Sequence, residues 1–153
     1  MVILGVVIWL LWLLYIVTCG KGHVNFWTLD QNTWTMSRKT GCFDAAKDKP
    51  KYVTCLAFAS NGDLLTGDSY GNVCVWRRGY NAVTKSLKKI HNGPVFAICV
   101  LKDGSLVTGG GKDSLLVHFD PNYKKLEETF LNENLGKFYL GIYNLGIQNI
   151  SKL

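Results

Sequence analysis

An internal repeat constrains this chain more than any other feature. Residues 53–67 read VTCLAFASNGDLLTG and residues 95–109 read VFAICVLKDGSLVTG. Val53 and Val95, Gly62 and Gly104, Thr66 and Thr108, and Gly67 and Gly109 correspond at a constant displacement of 42 positions. Each unit has an apolar run, a turn with Asn-Gly-Asp or Asp-Gly-Ser, and a second run ending in Thr-Gly. A polar turn and a third run follow, NVCVWRR after DSYG and LLVHFD after GKDS. Short apolar runs rich in β-branched residues favour strands. Gly, Asn and Asp supply the positive φ that tight turns need. The units therefore predict antiparallel strands and an all-β chain.

One turn invites a different reading. Gly109-Gly110-Gly111-Lys112 looks like a loop built to hold phosphate. Such a loop needs G-x-x-x-x-G-K-[ST], with the hydroxyl on magnesium and a helix behind it. Leu106 stands where the first glycine should be, and Asp113 replaces the hydroxyl. Leu115-Leu116-Val117 then begins a strand better than a helix. The stretch is expected to be a turn between strands that holds no nucleotide, and no cofactor is expected.

A period of about 40 to 45 residues with short strands resembles a propeller blade of the WD-repeat type. The third run of the first unit ends in Val75-Trp76, where WD repeats end in Trp-Asp, and the second ends in Phe119-Asp120. His91 stands near the place of the family's Gly-His pair. In WD repeats a His, a Ser or Thr, an Asp and the Trp form a hydrogen-bonded chain. The resemblance implies that chain at His91, Thr108 and Asp113, stopping there because Phe119 has no indole N–H. The unit with Thr66 and Trp76 lacks the His and has Tyr70 in place of the Asp, so it is expected to rely on packing alone.

A partial unit lies upstream in TCGKGHVNFWTLDQNTW, residues 18–34, with Trp27 closing a strand as Trp76 does. WTMSRKTGCF then reads as its outer strand. Together with KPKYVTCLAF, NGDLLTGDSYGNVCVW and DGSLVTGGGKDSLL, this wording resembles the echinoderm microtubule-associated protein-like family over roughly residues 17–128. The resemblance implies WD blades from paired propellers, binding to tubulin or microtubules, and a cytoplasmic, cytoskeletal location. It also implies that the chain is a truncated form of such a protein.

The expected organisation is an apolar segment at 1–17, blades over 18–130 (two full and one partial), and a divergent tail at 131–153. Residues 1–17 are uncharged, and three readings of them stay open. As a helix they would reach about 25 Å at 1.5 Å per residue, short of the ~30 Å hydrocarbon core. They could anchor a membrane-tethered scaffold whose blades bind another protein, they could be foreign sequence, or they could be a distorted strand pair that finishes a blade. Aligning Thr66 with Thr18 puts the first strand near residues 5–11, but its turn then falls on Trp12-Leu13-Leu14-Tyr15, which has no turn chemistry. So few blades cannot close a ring of four to eight, which would leave apolar faces and strand edges uncovered.

The five cysteines form no C-x-x-C pair, and Cys55, Cys74 and Cys99 sit within apolar runs, so reduced core thiols are expected. His23, His91 and His118 lack metal-ligand spacing to them, and no catalytic constellation is present, so no metal site and no enzymatic activity are expected. His118, between Val117 and Phe119, should face the other side of its strand. The net charge is +6 over 153 residues, which suits acidic partners. No basic run reaches the length of a nucleic-acid arm, so nucleic acid is not an expected partner. Arg77-Arg78 and Lys88-Lys89 flank one connection and form the candidate partner-binding patch. Asn149-Ile150-Ser151 is a glycosylation sequon that matters only in a secretory compartment.

Overall fold

The structure, a computed structural model, describes residues 3–11, 13–43 and 49–131. The tail beyond residue 131, with its sequon, lies outside these. Twelve strands are described, in three four-stranded antiparallel sheets. The first sheet contains β1 (Ile3–Leu11), β2 (Leu13–Gly20), β3 (His23–Asp30) and β4 (Thr35–Thr40). The second contains β5 (Val53–Phe58), β6 (Leu64–Asp68), β7 (Val73–Trp76) and β8 (Val83–Leu87). The third contains β9 (Val95–Val100), β10 (Leu106–Gly110), β11 (Leu115–Phe119) and β12 (Lys125–Phe130). In each sheet the strands lie in chain order, as a meander. The first strands are innermost, with β5 against both β1 and β9. The fourth strands, β4 and β12 in full, are exposed.

The 42-residue displacement reappears in the register of the first two strands of each unit, while the third-strand partners are displaced by 43. Thr66 pairs with Leu56 and Leu64 with Trp76, while Thr108 pairs with Ile98 and Leu106 with Phe119. Side chains alternate between sheet faces, and each sheet presents one apolar face to each neighbour. Val17, Cys19, Val24 and Phe26 of the first sheet meet Val53, Leu64, Cys74 and Trp76 of the second. Leu65, Val75 and Ala59 from the second sheet's side meet Leu106, Leu115, Val117 and Phe119 of the third. Fully burying one such side chain stabilises by about 1.5–3 kcal/mol, so these two layers hold the sheets together. Trp76 is fully buried and takes the rings of Phe26 (5.6 Å) and Phe43 (5.1 Å) edge-on.

The first sheet has four strands, not the partial set expected from the sequence. Val6 pairs with Thr18, Ile8 with Ile16 and Leu11 with Leu13. The anchor reading of residues 1–17 needed a helix, and a membrane-tethered scaffold needed that anchor. The backbone there forms β1 and much of β2 instead. No helix among the described residues is long and apolar enough to cross a membrane. The physical reason lies in β3, whose inner edge needs hydrogen-bond partners. β2 supplies them from Tyr15 to Gly20, opposite Thr28 to His23.

Candidate functional site

Each sheet holds a hydrogen-bonded cluster around the Thr of its second strand, and in the second and third sheets an aspartate in the following turn adds to it. In the first, Trp27 Nε1–H donates to Thr18 Oγ1 at 3.1 Å. In the second, Trp76 Nε1–H donates to Thr66 Oγ1 at 2.9 Å inside the core. The second sheet thus does not rely on packing alone. Its turn is closed by Asp68, which is 2% exposed. Asp68 accepts from Tyr70 N (2.7 Å), Asn72 N (3.0 Å) and Asn72 Nδ2 (2.9 Å). Sequence reading missed Asp68 by looking to Tyr70 two residues later. The available signal was Asp-Ser-Tyr-Gly, in which an aspartate bonds to backbone N–H groups ahead of it.

In the third sheet His91, Thr108 and Asp113 come together. His91 Nε2 lies 2.9 Å from Thr108 Oγ1, and Nδ1 lies 3.2 Å from Asp113 Oδ2. Asp113 also accepts from Asn92 N at 2.8 Å and Leu115 N at 3.3 Å. Burial opposes the charge on Asp113, but these N–H groups and His91 outweigh it and hold the carboxyl below its ordinary range. Burial pushes His91 down, against the pull of Asp113. An ionised Asp113 facing a neutral His91 makes Nδ1 the donor and leaves Nε2 to accept from the Thr108 hydroxyl. Phe119 is buried in the layer between the second and third sheets and has no N–H to add.

The triple-glycine stretch joins β10 to β11, strand to strand. A Cβ at Gly110 would stand 2.1 Å from Asp113 Oδ1 and 2.5 Å from His91 Nδ1. One at Gly111 would stand 2.1 Å from the Phe96 ring. The glycines therefore leave space for the His91–Asp113 contact and for Phe96. Gly110 occupies the position of Asp68, and Asp113 fills the space that Asp68 fills one sheet earlier.

The candidate patch is divided. Arg77 and Arg78 follow β7 and are exposed, with Arg78 N donating to Asp63 Oδ1 at 3.1 Å. Lys88 and Lys89 follow β8 and are also exposed. The sequence treats residues 79–87 as one connection, but β8 lies inside it. At ~3.3 Å per residue its five residues place the two pairs at opposite ends of the sheet. His118 is partly buried on the face of the third sheet turned away from the second, with Nδ1 3.3 Å from Glu127 Oε1 and Nε2 without a hydrogen-bond partner. No group of His, Cys, Asp and Glu that could hold a metal occurs among the described residues. The cysteines are free, and burial pushes Cys19 up to about 11 and Cys55 up to about 12. Such thiols are inert at neutral pH.

Comparison with known proteins extends the geometry. Residues 14–145 match the family described as echinoderm microtubule-associated protein first beta-propeller. Over 121 residues the chain is 46% identical to echinoderm microtubule-associated protein-like 1 of Homo sapiens. It is 44% identical to echinoderm microtubule-associated protein-like 2 of Homo sapiens, and 39% identical to the 77 kDa echinoderm microtubule-associated protein of Strongylocentrotus purpuratus. Each match covers 79% of this chain but only 14%, 18% and 17% of those proteins, respectively. The crystal structure of the C-terminal WD40 domain of Sif2 superposes with a TM-score of 0.62 at 16% identity, covering 78% of this chain and 34% of that one. That likeness shows the fold, three blades of a WD-type propeller. The 132-residue match shows the family: this chain belongs to the echinoderm microtubule-associated protein first beta-propeller family.

Proposed function

We propose that this chain is a non-enzymatic interaction module that binds microtubules, with a cytoplasmic, cytoskeletal location. The observation that carries this reading is the family match over residues 14–145, with relatives named as microtubule-associated proteins. Two features support it. The net charge of +6 suits the acidic surface of a tubulin polymer. The buried His91 and the partly buried Asp113 are spent on holding the connection into the third sheet against its β10–β11 turn, which fits a scaffold better than a catalyst. His91, Thr108 and Asp113 act structurally in this reading, as do the strand-end aromatics Trp27, Trp76 and Phe119.

Co-sedimentation with taxol-stabilised microtubules tests the reading. The chain should pellet with intact polymer and pellet less once subtilisin has removed the acidic tubulin tails. A chain that stays in the supernatant with both polymers contradicts the proposal.

A further inference from the structure

The two rims of the sheet stack differ in charge. One rim holds the turns from first to second strands and from third to fourth strands. Among its described residues Asp30, Asp63, Asp103 and Asp120 stand with Arg77, Arg78, Lys102 and Lys124, so its charges balance. The other rim holds the turns from second to third strands and the connections between sheets. There Lys21, Lys49, Lys51, Lys88, Lys89 and Lys112 are all exposed. Its described carboxylates, Asp68 and Asp113, are engaged by the turn and histidine contacts set out above. Among the described residues this rim is therefore a lysine surface with Asp68 buried in its turn and Asp113 held by His91 and backbone N–H groups.

Contacts between neighbouring turns make that surface continuous. Lys21 bridges to Tyr52, and Ser69 N donates to Tyr52 O at 3.0 Å. Ile90 N and His91 N both donate to Gly71 O, at 2.9 and 3.2 Å. Gly93 abuts Lys112, where a Cβ would stand 2.9 Å from Lys112 Cβ. Two exposed rings lie among the lysines, Tyr70 at 56% and Phe96 at 57% exposure. Stacked sheets lie ~10 Å apart, so three turns span roughly 20 Å, which is the length of about six extended residues.

We infer that this rim is the binding surface for an extended, carboxylate-rich peptide segment. The inference rests on the proposed interaction role and assigns it a place and a ligand chemistry. The rim's described cations are all lysines, the chain's three arginines (Arg38, Arg77 and Arg78) lying elsewhere. Lysine ammonium groups act as mobile point charges, which a run of glutamates can meet without fixed register. Tyr70 and Phe96 cover the aliphatic stems of such a peptide.

Fluorescence anisotropy of the 153-residue chain with fluorescein-labelled decaglutamate tests the assignment. Lys88→Ala/Lys89→Ala/Lys112→Ala should weaken binding about tenfold, three exposed charge contacts of modest individual strength. Arg77→Ala/Arg78→Ala, on the opposite rim, should change it less than about twofold. Circular dichroism melts of both variants should match the parent, which separates lost contacts from lost folding. Equal losses from the two variants, or tighter binding of labelled decathymidylate than of decaglutamate, would overturn the inference. The broader reading fails separately. Microtubule pelleting unaffected by the three lysine changes removes the rim but keeps the interaction role. Decaglutamate bound at the rim without microtubule pelleting does the reverse.

Discussion

His91 and Asp113 set the residue scale, because they tie the connection from β8 to β9 onto the β10–β11 turn through one neutral ring and one carboxylate. Asp113→Ala leaves Asn92 N and the His91 ring without their acceptor. An unmet donor of this kind costs about 1–3 kcal/mol, to be read as a lower urea midpoint. His91 also makes stability depend on pH. Its folded pKa is depressed by burial, so between that value and the ordinary ~6.5 the unfolded chain binds the extra proton. Stability is full above about 6.5 and falls as pH drops below it. Thermal melts should therefore show a falling midpoint between about pH 7.5 and 5.5 that His91→Gln flattens, and an equally steep fall in the variant would exclude His91 as the cause. His91, Thr108 and Asp113 could be picked out together in the sequence because WD-type spacing fixes each on a turn or strand. Asp68 could not be found by aligning the repeats, since Gly110 stands at its position and Asp113 arrives from three residues later.

At the scale of elements, turns and edges decide what periodicity leaves open. Gly71 has φ +84°, and a Cβ there would lie 1.9 Å from His91 O. Gly79 has nearly the same φ, +83°, with nothing within 4 Å of the added atom. Gly71→Ala must therefore displace the connection from β8 to β9 as well as bear left-handed strain, which alone costs roughly 1–2 kcal/mol. Gly79→Ala bears the strain only. Urea unfolding should rank Gly71→Ala clearly below Gly79→Ala, and equal midpoints would show that the close approach to His91 carries no weight. The repeats themselves were legible because each turn announces itself with Asn-Gly or Asp-Gly. Residues 3–11 were not, because a run that is apolar at nearly every position has neither helix nor strand period. The unpaired edge of the strand ending at Gly20 decides it, and that edge exists only once Thr18 is placed opposite Asn25.

For the whole molecule, the sequence shows dispersed lysine pairs, and only the meander order sorts them into rims. Arg77-Arg78 and Lys88-Lys89 look adjacent along the chain because β8 is too short and polar to stand out between them. Once β8 is in place, a lysine rim and a charge-balanced rim separate. Attraction between exposed charges is screened over ~8–10 Å at physiological salt, so binding through the lysine rim should weaken steeply as salt is added. The most direct measurement is microtubule co-sedimentation across a salt series, comparing the parent chain with Lys88→Ala/Lys89→Ala/Lys112→Ala and with Arg77→Ala/Arg78→Ala. The parent and the arginine variant should bind alike at low salt and be released together as salt rises, with the lysine variant about tenfold weaker at the outset. Pelleting that is insensitive to salt and equal in all three chains would contradict a charge-based contact through this rim.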